Sequence, residues 1–180
     1  MADPKIIVVY KSKYGTTKLY AEWIAEEVKA DLFEQSAVSV EDLLKYDIIV
    51  YGGSLHAVGI KGLKLITGNY DKLKTRKIIV FGVGASSGKS NDLKKVVEHN
   101  FKGEMAGKIP FFYCRGGFNF QSLSLLDKAM MSALKTKIEM SKKSVMDSET
   151  QEFLDSYDNP VDFTDKKYIA PLIEEIRKWC

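Results

Sequence analysis

Within six residues, Ser12, Lys13, Tyr14, Gly15, Thr16 and Thr17 gather three aliphatic hydroxyls, a cation, a phenol and a glycine. They sit between an apolar run, "IIVVY", and a helix-like pattern, "KLYAEWIA". A strand–loop–helix junction of this composition suits an anion. The first N–H groups of a helix have no intrahelical carbonyl and carry partial positive charge, and the hydroxyls add further donors. Gly15 lets the backbone turn tightly and approach the anion closely. The same hydroxyls also fit a simpler role, capping a helix in a plain turn. Spacing excludes two other phosphate loops. A dinucleotide fingerprint needs G-x-G-x-x-G and an acid about 20 residues on, and neither is present. The stretch Gly84–Ser90, "GASSGKS", looks like the end of a triphosphate loop. Its glycines lie three residues apart from Gly84, or five from Gly82, where four are required. A loop rich in hydroxyls and poor in glycine points to one terminal phosphate.

Three further loops are candidates for the rest of such a ligand. In "GGSLHAVGIKG", Gly52 to Gly62, residues Ser54, Leu55, His56 and Ala57 are small or apolar and suit one face of a flat ring. His56 can stack, hydrogen-bond, relay a proton or simply pack its loop. Gly84, Ala85, Ser86, Ser87 and Gly88 offer small side chains and backbone amides for a ring's polar edge. In "RGGFNF", Arg115 supplies a cation, and Phe118 or Phe120 can close over a ring. His56 and Arg115 are the catalytic candidates. Neither Gly52–Gly62 nor Gly84–Ser90 contains Asp or Glu, whereas Lys61, Lys89 and Arg115 lie in or beside them. The ring site is therefore expected to be positive.

Elements that could position these loops follow from hydrophobic patterning. Lys5–Tyr10, Asp47–Tyr51, Lys77–Val83 and Ile109–Cys114 read as strands, and Asp31–Glu34 is a weaker fifth. Their continuous apolar character implies cover on both faces, as in a parallel sheet. Thr17–Ala30, Leu93–Phe101 and Tyr168–Trp179 have helical spacing. Alternating strands and helices predict one α/β domain over residues 1–180 with a doubly wound sheet. In such a sheet, ligands bind beyond the carboxyl ends of the strands, where these loops lie.

An insertion at about 116–150 breaks the alternation. There Leu123, Leu126, Met130 and Leu134 follow helical spacing among lysines. From Lys102 to Lys143, eight basic residues face three acidic ones. This helix either covers a sheet edge or presents residues 116–146 to a membrane surface or a partner protein.

Bulk properties narrow the classes. The chain has 180 residues, 45% hydrophobic, with 27 basic against 24 acidic side chains, a net charge of +3. So small an excess, with no arginine-rich aromatic face, gives no case for nucleic acid. No run reaches the length of about 20 apolar residues needed to span a bilayer, and "MADPKIIVVY" lacks a signal-peptide layout, so a cytoplasmic location is expected. Two cysteines and two histidines give neither a disulfide framework nor a metal cluster.

With its loops placed, the sequence resembles the flavodoxin family. "SKYGTT" after "IIVVY" is similar to that family's FMN phosphate loop, with Tyr14 where Thr or Ser is common. "YGGSLHA" is similar to the loop over one flavin face, with His56 near a position often aromatic. "FGVGASSG" is similar to the loop at the opposite face, with Ala85 where an acid is usual. The resemblance covers about Lys5 to Cys114 and the last helix. It implies FMN as cofactor and a five-stranded parallel sheet in the order 2-1-3-4-5. "RGGFNF" and "LLDKAMMSALK" resemble a branch that includes menaquinone-dependent protoporphyrinogen oxidase.

Three functions are thereby implied: an FMN electron carrier serving redox proteins, an FMN oxidoreductase acting on a quinone or tetrapyrrole, or a relative that has lost FMN. In the second, Arg115 and the lysines would meet propionates and His56 would relay a proton. A positive ring site would also make the flavin potential less negative than in acidic flavodoxins.

Overall fold

The apolar runs become strands because helices cover both of their faces. A computed structural model gives the structure of residues 3–140 and 148–180. The strands are β1 (Ile6–Lys11), β2 (Asp31–Glu34), β3 (Ile48–His56), β4 (Gly59–Ile60), β5 (Lys77–Gly84) and β6 (Phe111–Arg115). The helices are α1 (Thr16–Val28), α2 (Val40–Leu43), α3 (Lys64–Thr67), α4 (Tyr70–Leu73), α5 (Ser90–Asn100), α6 (Leu125–Met140), α7 (Ser148–Asp155) and α8 (Ala170–Arg177). Successive strand residues point to opposite faces. Ile6, Val8, Val50, Ile79 and Phe81 therefore pack with Tyr20 and Ile24 of α1 and Leu172 and Ile176 of α8. Ile7, Val9, Ile49, Tyr51 and Val80 pack on the other face with Leu43, Ile66, Leu73 and Val96.

The parallel strands run in the order β2-β1-β3-β5-β6, with β4 attached to β3. That is the expected 2-1-3-4-5 order once the two-residue β4 is set aside. The order reverses between β1 and β3, whose residues Val8 and Val50 are in register. Both strands therefore end at the switch point, where an open α/β sheet leaves a crevice.

Several boundaries differ from the sequence expectation. β3 runs on through Gly52–His56, which had read as loop, because Gly52–Ser54 pair with β1 and β5 and β4 then folds back antiparallel to pair Leu55 with Ile60 and His56 with Gly59. Helix α6 begins at Leu125, so Leu123 precedes it. The insertion also extends beyond 150. It contains α7, and its ends meet where Phe118 and Val161 exchange N–H···O bonds of 2.8 and 2.9 Å. Lys142, Lys143 and Met146 of the expected basic segment lie outside the described residues.

Aromatic packing organises the insertion. Phe118, Phe120, Phe153 and Tyr157 stack with centroids 5.2–5.8 Å apart. The Tyr157 hydroxyl donates to the Met131 carbonyl at 2.8 Å, which joins α7 to α6. The insertion is anchored to the main fold at Tyr20, a fully buried residue of α1. Its hydroxyl donates to the Arg115 carbonyl at 2.6 Å and accepts from the Asp165 N–H at 3.1 Å, where the chain leaves and rejoins the fold. Burial pushes this phenol far above its ordinary range.

Replacing Tyr20 by Phe strands one donor and one acceptor while keeping the ring. The expected loss is roughly 1–3 kcal/mol of unfolding free energy. Urea denaturation that shows no loss would mean that water or another group replaces the clamp.

Candidate functional site

At the carboxyl end of the sheet, a cavity of about 610 Å³ opens between the first loop, the end of β3, the end of β5 and the insertion. Its size lies within the range of about 300–1,000 Å³ common for small-molecule sites. Gly15 begins α1 with a φ of +91°, a left-handed conformation that a side chain resists. This sharp entry places Gly15, Thr16 and Thr17 on the cavity wall, so the helix presents its N-terminal end there. The N–H groups of that turn have no carbonyl four residues earlier, and the helix dipole adds partial positive charge. Gly116 closes the approach from β6. A Cβ there would lie 2.8 Å from Val83 and 3.0 Å from Thr16, so only glycine lets this backbone reach the loop.

Most of the sequence candidates converge. Lys13, Tyr14, Gly15, Thr16, Thr17, Ser54, Leu55, His56, Ala57, Gly84, Ala85 and Phe118 all line the cavity. The Thr17 and Ser54 hydroxyls lie 2.8 Å apart, linking the phosphate-type loop to β3. His56 ends β3 as an exposed side chain on the cavity wall.

Five candidates are placed elsewhere. Ser12 does not line the cavity; its hydroxyl accepts from the Gly15 N–H at 3.1 Å and shapes the loop. Ser86, Ser87 and Gly88 lie off the wall, because the fourth-strand loop packs on Tyr113. The Tyr113 hydroxyl donates to the Ser86 carbonyl at 2.6 Å, and a Cβ on Gly88 would meet the Tyr113 ring at 2.4 Å. Burial pushes that phenol up to about 12. Arg115 is also absent from the wall. Its guanidinium meets Glu152 at 2.8 Å and lies 3.5 Å over the Phe163 ring, so it fastens α7 and the return segment.

The insertion contributes what the sequence reading missed. Asp127, Met130, Met131 and Leu123 form a wall of the cavity, and Asp162 lies on it too. Asp127 is buried, and its Oδ2 accepts from the Lys13 ammonium and the Tyr14 hydroxyl. The Ser124 hydroxyl accepts from the Asp127 N–H at 3.3 Å, and the Ser124 N–H donates to the Tyr14 hydroxyl at 3.2 Å. The first turn of α6 is thus tied to the first loop across more than a hundred residues of sequence. The Lys13 ammonium, with help from Tyr14, holds the Asp127 carboxyl at about 2. Burial lowers the Lys61 ammonium on the same wall, and the neighbouring Lys13 charge adds to the effect.

The expectation of a positive site is corrected by these placements. Two lysines, Lys13 and Lys61, face two carboxylates, Asp127 and Asp162, and Arg115 is neutralised by Glu152. The two loops expected at the ring, Gly52–Gly62 and Gly84–Ser90, still contribute no carboxylate of their own. Among the described residues, no group of His, Cys, Asp and Glu could hold a metal ion, and no helix is long and apolar enough to cross a membrane.

One protein family, described as a flavodoxin domain, has a sequence model that matches residues 7–145. No curated protein matches the sequence. The flavodoxin, WrbA-like protein from Agrobacterium tumefaciens is 18% identical over 69% of this chain and 88% of its own, with a TM-score of 0.44. The Trp repressor binding protein from Bacillus subtilis is 18% identical over 72% of this chain and 96% of its own, with a TM-score of 0.47. A flavoprotein in complex with FMN from Lactobacillus acidophilus is 20% identical over 63% and 93%, with a TM-score of 0.41.

The tie between α6 and the first loop has a defined pH dependence. Asp127 titrates near 2 when folded against an ordinary 3.8, so its stabilisation is complete above about pH 4 and lost as pH falls towards 2. Wild type should melt above Asp127→Asn at neutral pH, and the gap should close between pH 4 and 2. A gap in Tm that stays constant across this window would show that the charge of Asp127 is not what stabilises the tie.

Proposed function

Because the chain belongs to the flavodoxin domain family, we propose that its cavity binds FMN and that electrons pass through the bound flavin. The observation that carries this reading is the shape of the cavity. One end is the N-terminal turn of a thirteen-residue helix, and the lining beyond it combines small and apolar residues with a balanced set of two lysines and two carboxylates. The N–H groups of Thr16 and Thr17, with the Thr16 hydroxyl, would hold the terminal phosphate, where helix dipole and charge-assisted hydrogen bonds favour an anion. Leu55, Ala57, Phe118, Met130 and Met131 supply the apolar lining against which the ring would pack, three of them from the insertion. When bound, FMN accepts a hydride or two single electrons at its ring. His56, exposed at the end of β3, is the one imidazole on the cavity wall among the described residues.

A second reading is supported by the insertion. An electron carrier needs only an exposed ring edge for its partner, whereas here Leu123, Met130 and Met131 add an apolar wall. Such a wall suits a flat apolar substrate, a quinone or tetrapyrrole, and makes the protein an oxidoreductase of the protoporphyrinogen oxidase type. The exposed Leu125, Leu126 and Met140 of α6, 71–88% accessible, are then the surface offered to a partner or membrane. The Arg115 guanidinium, held by Glu152, is not available to substrate propionates in this reading.

The purified protein should be yellow and carry one FMN per chain. Riboflavin, which lacks the phosphate, should bind at least about 100-fold more weakly, as the loss of two charge-assisted hydrogen bonds implies. Equal affinities, measured by quenching of flavin fluorescence, would remove the phosphate assignment. Turnover of protoporphyrinogen with a menaquinone analogue separates the two readings, and a rate no greater than autoxidation rejects the second.

A further inference from the structure

We propose that Asp127, delivered by the insertion, is a cofactor-binding residue that accepts a hydrogen bond from a hydroxyl of the ligand's polyol chain. The inference rests on the FMN reading above and deepens it. Asp127 is the one charged side chain among the described residues that is buried. Its Oδ2 is occupied by Lys13 and Tyr14. Its Oδ1 is also buried and meets no hydrogen-bond donor among the described residues. An ionised carboxylate only accepts, and burying an unmet acceptor of this kind is costly. Lys13 and Tyr14 keep the group ionised, so protonation does not relieve the need. The missing partner is a donor, and the space that Asp127 borders is the cavity.

Position selects which part of the ligand supplies that donor. Asp127 is fixed by the two residues that precede Gly15, so it sits beside the phosphate end of the cavity. A dianionic phosphate offers no proton and repels a carboxylate. The ring's own N–H belongs to the opposite end of the ligand. Between them lies the ribityl chain, whose hydroxyls are donors. Lys13 and Lys61 on the same wall balance the carboxylate, which lets it stand close to a phosphate without a net repulsive field. The geometry is set before the ligand arrives. Ser124 holds the Asp127 N–H through its hydroxyl and the Tyr14 oxygen through its own N–H, so the carboxylate's position is fixed by the start of α6.

The test compares FMN with a phosphate-bearing flavin whose side chain is an unsubstituted five-carbon alkyl, in wild type, Asp127→Asn and Asp127→Ala. Fluorescence quenching reads the affinities, and circular dichroism verifies that each variant is folded. Wild type should prefer FMN by at least about tenfold, as expected for a hydrogen bond to a charged acceptor. In Asp127→Ala the preference should fall to about threefold or less, with Asp127→Asn between them. A merely structural Asp127 would weaken both ligands equally and leave the preference intact, which overturns the proposal. So does a wild-type protein that binds both flavins equally, a result that needs no variant. Failure of wild type to bind either flavin rejects the FMN reading itself, and the assignment of Asp127 with it.

Discussion

A carboxylate withdrawn from water costs several kcal/mol unless donors reach it, and donors reach Asp127 only if the insertion lies against the first loop. This constraint sets the shape of the site. Lys13 and Tyr14 come from the junction of β1 and α1, while Asp127 comes from the start of α6, and each side lacks its partner without the other. The tie closes the phosphate end of the crevice and turns an open sheet edge into a walled cavity. Met130 and Met131 follow on the same helix and reach the wall because Asp127 has fixed where that helix begins. Methionine suits such a wall, since its unbranched thioether adapts to irregular surfaces.

The opposite end of the insertion is fixed by different chemistry. Arg115 leaves β6 and is held by Glu152 of α7 and by the Phe163 ring. Phe118 pairs with Val161 through the backbone and packs among Phe153 and Tyr157. Side-chain packing, main-chain hydrogen bonds and the Arg115–Glu152 ion pair thus secure α7, whereas the cluster around Asp127 secures α6. Of the two anchors, only the one at α6 lies on the cavity wall, so the α6 end is the more sensitive to the charge of whatever occupies the cavity.

Much of the fold was legible because its signals are local. Apolar runs such as "IIVVY" and "KIIVF" can only be strands buried on both faces, and their alternation with helices requires parallel pairing. The hydroxyl-rich loop was legible for the same reason, since Gly15 and the two threonines are consecutive with the helix they introduce. Gly52–His56 misled, because small residues read as loop while pairing with β1 and β5, and at the end with Ile60 and Gly59, keeps them extended. Asp127 was not legible as a site residue at all. It sits in a pattern, "LLDKAMMSALK", that reads as an ordinary amphipathic helix, and its partners lie 113 and 114 positions away. Arg115 failed in the converse way. A cation next to a ring-binding loop looks functional until Glu152, 37 residues on, is found to neutralise it.

Charge bookkeeping by sequence segment therefore made the site positive where its lining is balanced, and the reason is general. Loops that converge in space draw their counter-charges from whatever packs over them, and here that cover is an insertion rich in lysine overall. The lysines of α6 do not face the cavity; its aspartate does. An amphipathic helix sorts its residues by direction, so its net charge says little about the field on either side. The side that meets the cavity is apolar with one carboxylate, and the apolar residues Leu125, Leu126 and Met140 remain accessible on the outside. A helix covering a sheet edge for stability alone would bury such residues. One that keeps leucines and a methionine in solvent, beside a cavity it also walls, is the surface that the proposed partner or membrane contact would use.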